Sequence, residues 1–157
     1  MKLKMSILAV FLLILTSCGQ DQLNNKEVAS EVSEEKMLWI VEIEPGSNEV
    51  TFQMKLTNNT SAEQIVKFNS GQSYDIVVRD STGKEVYRYS KGRMFTQALR
   101  EITIASGDTK TWESTWDYKK DGTRVEEGTY QVTTELKGVV SEGGKLIVTG
   151  EFVVPSE

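Results

Sequence analysis

From Met37 onward the chain is written in alternation. Val50, Phe52, Met54 and Leu56 are separated by Thr51, Gln53, Lys55 and Thr57, so an extended backbone has one dry face and one wet face. The cluster Asn58 to Gln64 reads as a turn, Ile65 to Phe68 as a second strand, and "NSGQ" as its break. Tyr74, Ile76 and Val78 then alternate with Asp75, Val77 and Arg79. "DSTGK" (Asp80 to Lys84) predicts a tight turn into a strand over Glu85 to Ser90, which makes a hairpin. Ile102 and Ile104, a strand with Trp112 and Trp116 on one side, Gly128 to Gly138, and Lys145 to Val154 complete the pattern. Eight or nine short strands at near-regular spacing, with no convincing helix, predict an all-β, immunoglobulin-like antiparallel β-sandwich.

The N-terminus follows different rules. Two lysines within Met1 to Lys4, an apolar run from Ser6 to Leu15 and "LTSC" ending at Cys18 have the order of a secretion signal. The run is shorter than the about 20 residues of a permanent membrane helix. Leu15, Thr16 and Ser17 before Cys18 resemble the bacterial lipobox, in which the cysteine thiol receives a diacylglycerol and becomes the new N-terminus. The 18 residues from Gly19 to Lys36 are polar, net negative and free of aromatics, the composition of a flexible tether. The expected organisation is therefore a signal peptide over 1–17, lipidated Cys18 and tether over 18–36, and a β-domain over 37–157. The expected location is the extracytoplasmic face of the cell membrane, held by the lipid.

Charge singles out one segment. Removal of Met1 to Ser17 leaves 16 basic residues against 23 acids, a balance of −7. Arg88 to Arg100 holds four basic side chains (Arg88, Lys91, Arg93 and Arg100) and no acid, so the remainder sums to −11. A generally acidic surface argues against non-specific nucleic-acid binding.

Catalytic chemistry is poorly supplied. With no histidine, the Ser-His-Asp and Cys-His arrangements and the commonest metal ligand are absent. The sequence points to no enzyme, cofactor, metal or small-molecule substrate. "DYKKDG" (Asp117 to Gly122) lacks the spacing of a calcium loop and reads as a hairpin turn. Trp112 and Trp116 could form a carbohydrate platform, but a place in the core is the favoured reading. Tyr130 in "GTY" is similar to the tyrosine that closes a corner of immunoglobulin-like folds by bonding nearby backbone.

"FNSGQSYDIVVRDSTGKEVYRYSKGRMFTQAL" (Phe68 to Leu99), followed by "SGDTKTW" and "GTYQVTTELKG", closely resembles the BsuPI-type intracellular proteinase inhibitor domain, over about Leu38 to Val154. The resemblance implies an immunoglobulin-like sandwich that inhibits subtilisin-like serine proteases. One feature departs from the family pattern: its inhibitor is cytosolic, whereas a lipobox precedes this domain.

Tyr87 to Arg100 has two readings. As a crossover, it folds Met94, Phe95 and Leu99 inward to close one end of the sandwich. As a docking loop, it lies extended in a protease cleft, with Met94 or Phe95 in the specificity pocket and Arg88, Lys91 and Arg93 steering encounter with an acidic target. Burial of Phe95 is the favoured expectation. The function expected is a membrane-tethered, non-enzymatic inhibitor of a subtilisin-like protease; the alternative is a surface lipoprotein that binds another envelope protein without inhibiting anything.

Overall fold

The computed structural model describes residues 26–29, 36–141 and 144–156. The signal peptide and Cys18 lie outside them, as does most of the tether. All thirteen strands among the described residues pair antiparallel. From Met37 onward nine of them have four residues or more: β2 (Met37–Pro45), β3 (Val50–Asn58), β4 (Gln64–Phe68), β5 (Tyr74–Arg79), β6 (Glu85–Arg88), β7 (Arg100–Ile104), β8 (Thr109–Trp116), β11 (Gly128–Leu136) and β13 (Ile147–Val154). Three two-residue strands raise the number: β9 (Lys119–Lys120), β10 (Thr123–Arg124) and β12 (Val139–Val140). Within the segment read as tether, β1 (Lys26–Ala29) pairs with β2, with Lys26 opposite Ile43.

Two four-stranded sheets, in orders β1-β2-β3-β8 and β13-β11-β5-β6, form the layers of a β-sandwich, and a third sheet, β12-β4-β7, joins them. Alternation decides which faces meet. Val50, Phe52, Met54 and Leu56 of β3 are completely buried, and Tyr130, Val132 and Leu136 of β11 with Val148, Phe152 and Val154 of β13 supply the opposing face. Trp39 spans the layers: its indole N–H donates to the Thr134 hydroxyl at 3.2 Å, so a buried polar group is satisfied across the core.

The tryptophans belong to this core. Trp116 is 3% exposed and packs on Tyr87, Tyr118, Tyr130 and Phe152, while half-buried Trp112 lies 5.7 Å from Trp39. Trp116 is therefore closed to a sugar, and Trp112 is partly covered by Trp39. The Tyr130 hydroxyl donates to the Glu126 carbonyl at 2.8 Å, four residues back, as the corner reading expects. "DYKKDG" forms the turn between β9 and β10, with positive φ at both Asp121 (51°) and Gly122 (85°), the backbone of a type I′ hairpin.

The sheet orders place two edges far apart. β1 and β13 lie at one side of the sandwich, where β1 packs against β13. β6 and β8 lie at the other, joined by the stack of Tyr87 on Trp116, and the neighbouring β5 is tied to β8 by the Tyr74 hydroxyl donating to the Glu113 carbonyl. The strand nearest the N-terminus and the strand that leads into the basic segment are thus on opposite edges.

Candidate functional site

β6 ends at Arg88 and β7 begins at Arg100, which leaves Tyr89 to Leu99 as the connection between the second and third sheets. Its first residues are fastened to β5. The Tyr89 amide donates to the Ile76 carbonyl at 2.9 Å, and Ser90 donates to Asp75 twice, through its amide (3.1 Å) and its hydroxyl (2.9 Å). Two turns follow, closed by the Lys91 amide on the Arg88 carbonyl and the Arg93 amide on the Ser90 carbonyl.

Asp75 is the centre of this base. Strand alternation assigns it to the wet face, yet it is 7% exposed, because Ser90 and Arg88 fold over it and saturate its oxygens. A buried carboxylate is tolerated only with such a set of donors. Arg88 reaches Asp75 at 3.3 Å and holds Glu85 with a two-pronged grip at 2.5 and 3.1 Å. That hydrogen bond from Arg88 pulls the Glu85 carboxyl below its ordinary pKa, and the same bond raises that of Arg88. Arg88 is thereby committed to the fold.

Lys91 and Arg93 are not. Both are exposed; Lys91 reaches Asp121 at 3.6 Å, and Arg93 has no acidic partner among the described residues. The Arg93 guanidinium lies over the Tyr89 ring, 4.1 Å from its centre. Tyr89 packs on Tyr74 at 4.6 Å, and Tyr74 is 7% exposed. Burial pushes the Tyr74 hydroxyl above the ordinary phenol range, and it donates to the Glu113 carbonyl at 3.2 Å.

The inward-folding expectation fails at two of its three residues. Met94 is 99% exposed and Leu99 83% exposed, and only Phe95 is half-buried, with its ring 6.2 Å from Tyr89. Tyr74, Tyr87 and Tyr89 occupy this side of the core, with Tyr89 on Tyr74 and Tyr87 on Trp116. From Met94 to Leu99 the backbone is tied to the rest of the fold at one point, where the Thr96 carbonyl accepts from the Gly71 amide at 2.9 Å. Beyond it, Arg100 returns to the body over the Phe68 ring and donates to the Ser73 hydroxyl.

The five side chains singled out by sequence thus divide. Met94 and Arg93 face solvent, Lys91 faces solvent beside Asp121, Phe95 half-covers Tyr89, and Arg88 is an internal brace. Sequence reasoning missed Gly71, Tyr74, Asp75 and Thr96 as supports of the loop. A signal was present: "SGQ-x-YD" carries the first three, and "YRYS" carries the Arg88, Tyr89 and Ser90 that meet them.

Among solved structures the chain is similar to a Bordetella pertussis protein described as an ApaA, at 13% identity over 83% of this chain and 89% of that one. The TM-score is 0.37, too loose a likeness to carry an argument. No curated protein matches it. The model of the BsuPI family, described as intracellular proteinase inhibitor, matches residues 39–140, from buried Trp39 through the docking-loop candidate to Val140. The chain is a member of the BsuPI family of proteinase inhibitor domains.

Proposed function

We propose that this protein is a membrane-tethered, non-enzymatic inhibitor that blocks the cleft of an extracytoplasmic, subtilisin-like serine protease with the loop from Lys91 to Leu99. The observation that carries the reading is an apolar tip held fully in solvent on a braced base. Met94 is exposed, whereas Tyr89 and Ser90, a few residues before it, are locked to β5. Protease clefts take an extended segment by pairing with its backbone, and the stretch from Met94 to Leu99 has backbone to offer. A braced loop loses little conformational entropy on docking and is a poor substrate for its own target.

The lipid anchor fits the same geometry. β1, the described strand nearest Cys18, lies on the edge of the sandwich opposite β6, so a tether on that side leaves the loop unobstructed. The test is to add the full chain, purified in detergent, to a panel of subtilisin-like proteases and follow hydrolysis of a chromogenic peptide. Slowing at micromolar chain is expected; no slowing of any enzyme rejects inhibition, and capture of a non-protease envelope protein instead would favour a simple binding lipoprotein. Separately, Cys18→Ser should move the chain from the membrane pellet to the soluble fraction, and its retention there would overturn the anchor.

A further inference from the structure

We infer that Met94, and not Phe95, is the side chain that enters the target's primary specificity pocket, and that Phe95 is a positioning residue. This rests on the reading of the loop as a protease-docking segment. Residues on either side of Met94 pack on one ring: the Arg93 guanidinium sits 4.1 Å from the centre of Tyr89, and the Phe95 ring 6.2 Å from it. Both neighbours of Met94 are held against Tyr89, while Met94 between them is 99% exposed.

Tyr89 acts as a saddle. It cannot sink, because Tyr74 lies beneath it at 4.6 Å and is fixed to β8 through its hydroxyl. The Thr96 carbonyl, held by Gly71, fixes the chain on the far side. The tip is thus a single unbranched thioether with a rigid foot on each flank. Such a side chain suits a deep, uncharged pocket, and its three flexible bonds let it follow a pocket wall that a ring cannot. Arg93, without an acidic partner among the described residues, adds a positive charge directly beside the anchor and favours a cleft with acidic rims.

The experiment compares inhibition constants of the full chain and of Met94→Ala, Phe95→Ala and Met94→Lys against a subtilisin-like protease and a trypsin-like one, with the melting temperature of each variant. Met94→Ala should weaken inhibition of the subtilisin-like enzyme by about 30-fold or more, since a central anchor is a binding hot spot. Its melting temperature should not move, because Met94 is 99% exposed. Met94→Lys should lose the subtilisin-like enzyme and gain the trypsin-like one, whose pocket carries a carboxylate; a merely structural residue would not exchange targets. Phe95→Ala should lower both affinity and melting temperature. If Met94→Ala inhibits within about 3-fold of the parent while Phe95→Ala alone abolishes inhibition at unchanged stability, Phe95 is the anchor and the inference is wrong. If the parent chain inhibits no protease, the inference falls together with the reading beneath it.

Discussion

The carbonyl of Thr96 and the amide of Gly71 meet at 2.9 Å, and a Cβ on Gly71 would lie 2.6 Å from the Thr96 hydroxyl oxygen, so Thr96 would have to shift to admit it. Gly71→Ala should therefore push the loop off its support. The loss of stability should be small, about 1 kcal/mol, the value of one backbone hydrogen bond. Proteolytic nicking between Lys91 and Leu99 should quicken markedly, and inhibition should become transient as the inhibitor is consumed. Adding Thr96→Ala removes the colliding atom and should restore resistance to nicking. Nicking rates of the two single variants and the double variant check the coupling.

Arg88 and Arg93 carry the same charge five residues apart and should behave as different kinds of residue. Asp75 and Glu85 hold Arg88, so Arg88→Ala removes the counter-charge of a buried carboxylate that keeps its Ser90 donors, and should cost about 1–3 kcal/mol in chemical denaturation. Arg93 rests on Tyr89 in water, and Arg93→Glu should lower stability by under about 1 kcal/mol. Association with the target should be affected the other way: Arg93→Glu slows the on-rate and flattens its salt dependence. Stopped-flow association at two ionic strengths separates the two arginines.

Much of this architecture is legible in the sequence because it obeys one rule. Strands β3, β11 and β13 alternate cleanly in burial, and Val50, Phe52, Met54 and Leu56, the residues of β3 read as dry, are all buried. What escaped were positions where tertiary neighbours overrule the period. Asp75 and Val77 are buried on the face of β5 that alternation calls wet, Asp75 because Ser90 and Arg88 fold back over it. Tyr118 adopts a left-handed backbone (φ 58°) unusual for a bulky residue, held there by complete burial and by its hydroxyl on the Gly46 carbonyl. The loop was misjudged for a related reason: hydrophobic residues are expected inside, but the side of the core beside it is occupied by three tyrosines whose sequence neighbours do not announce it.

Acid should loosen the base of the loop through Glu85. Its carboxyl is depressed chiefly by the hydrogen bond from Arg88, so it contributes stability that is complete above the ordinary glutamate pKa of about 4.3 and is lost as pH falls through the lower folded value. Asp80 adds in the same sense, held down first by the Thr82 hydroxyl. Thermal melts of the parent and Glu85→Gln should differ by a constant amount from neutrality to about pH 5 and converge below about pH 4. A gap that persists undiminished at lower pH would place the effect in packing and not in the charge on Glu85.

Oxidation offers the last test, because the methionines sit in sharply different surroundings. Met54 is fully buried and Met37 half-buried, whereas Met94 stands 99% exposed at the tip of the loop. Dilute peroxide reacts at an accessible thioether: sulfur takes one oxygen, the O–O bond breaks, and water leaves. Met94 should be the first methionine among the described residues to gain an oxygen, as peptide mass mapping would show. The sulfoxide is polar and poorly suited to an apolar pocket, so inhibition should fall in step with its formation and return on treatment with a methionine sulfoxide reductase. Met94→Leu keeps an apolar side chain of similar volume without the sulfur. It should inhibit comparably before peroxide and lose nothing after, and equal sensitivity of that variant would trace the effect to some other residue.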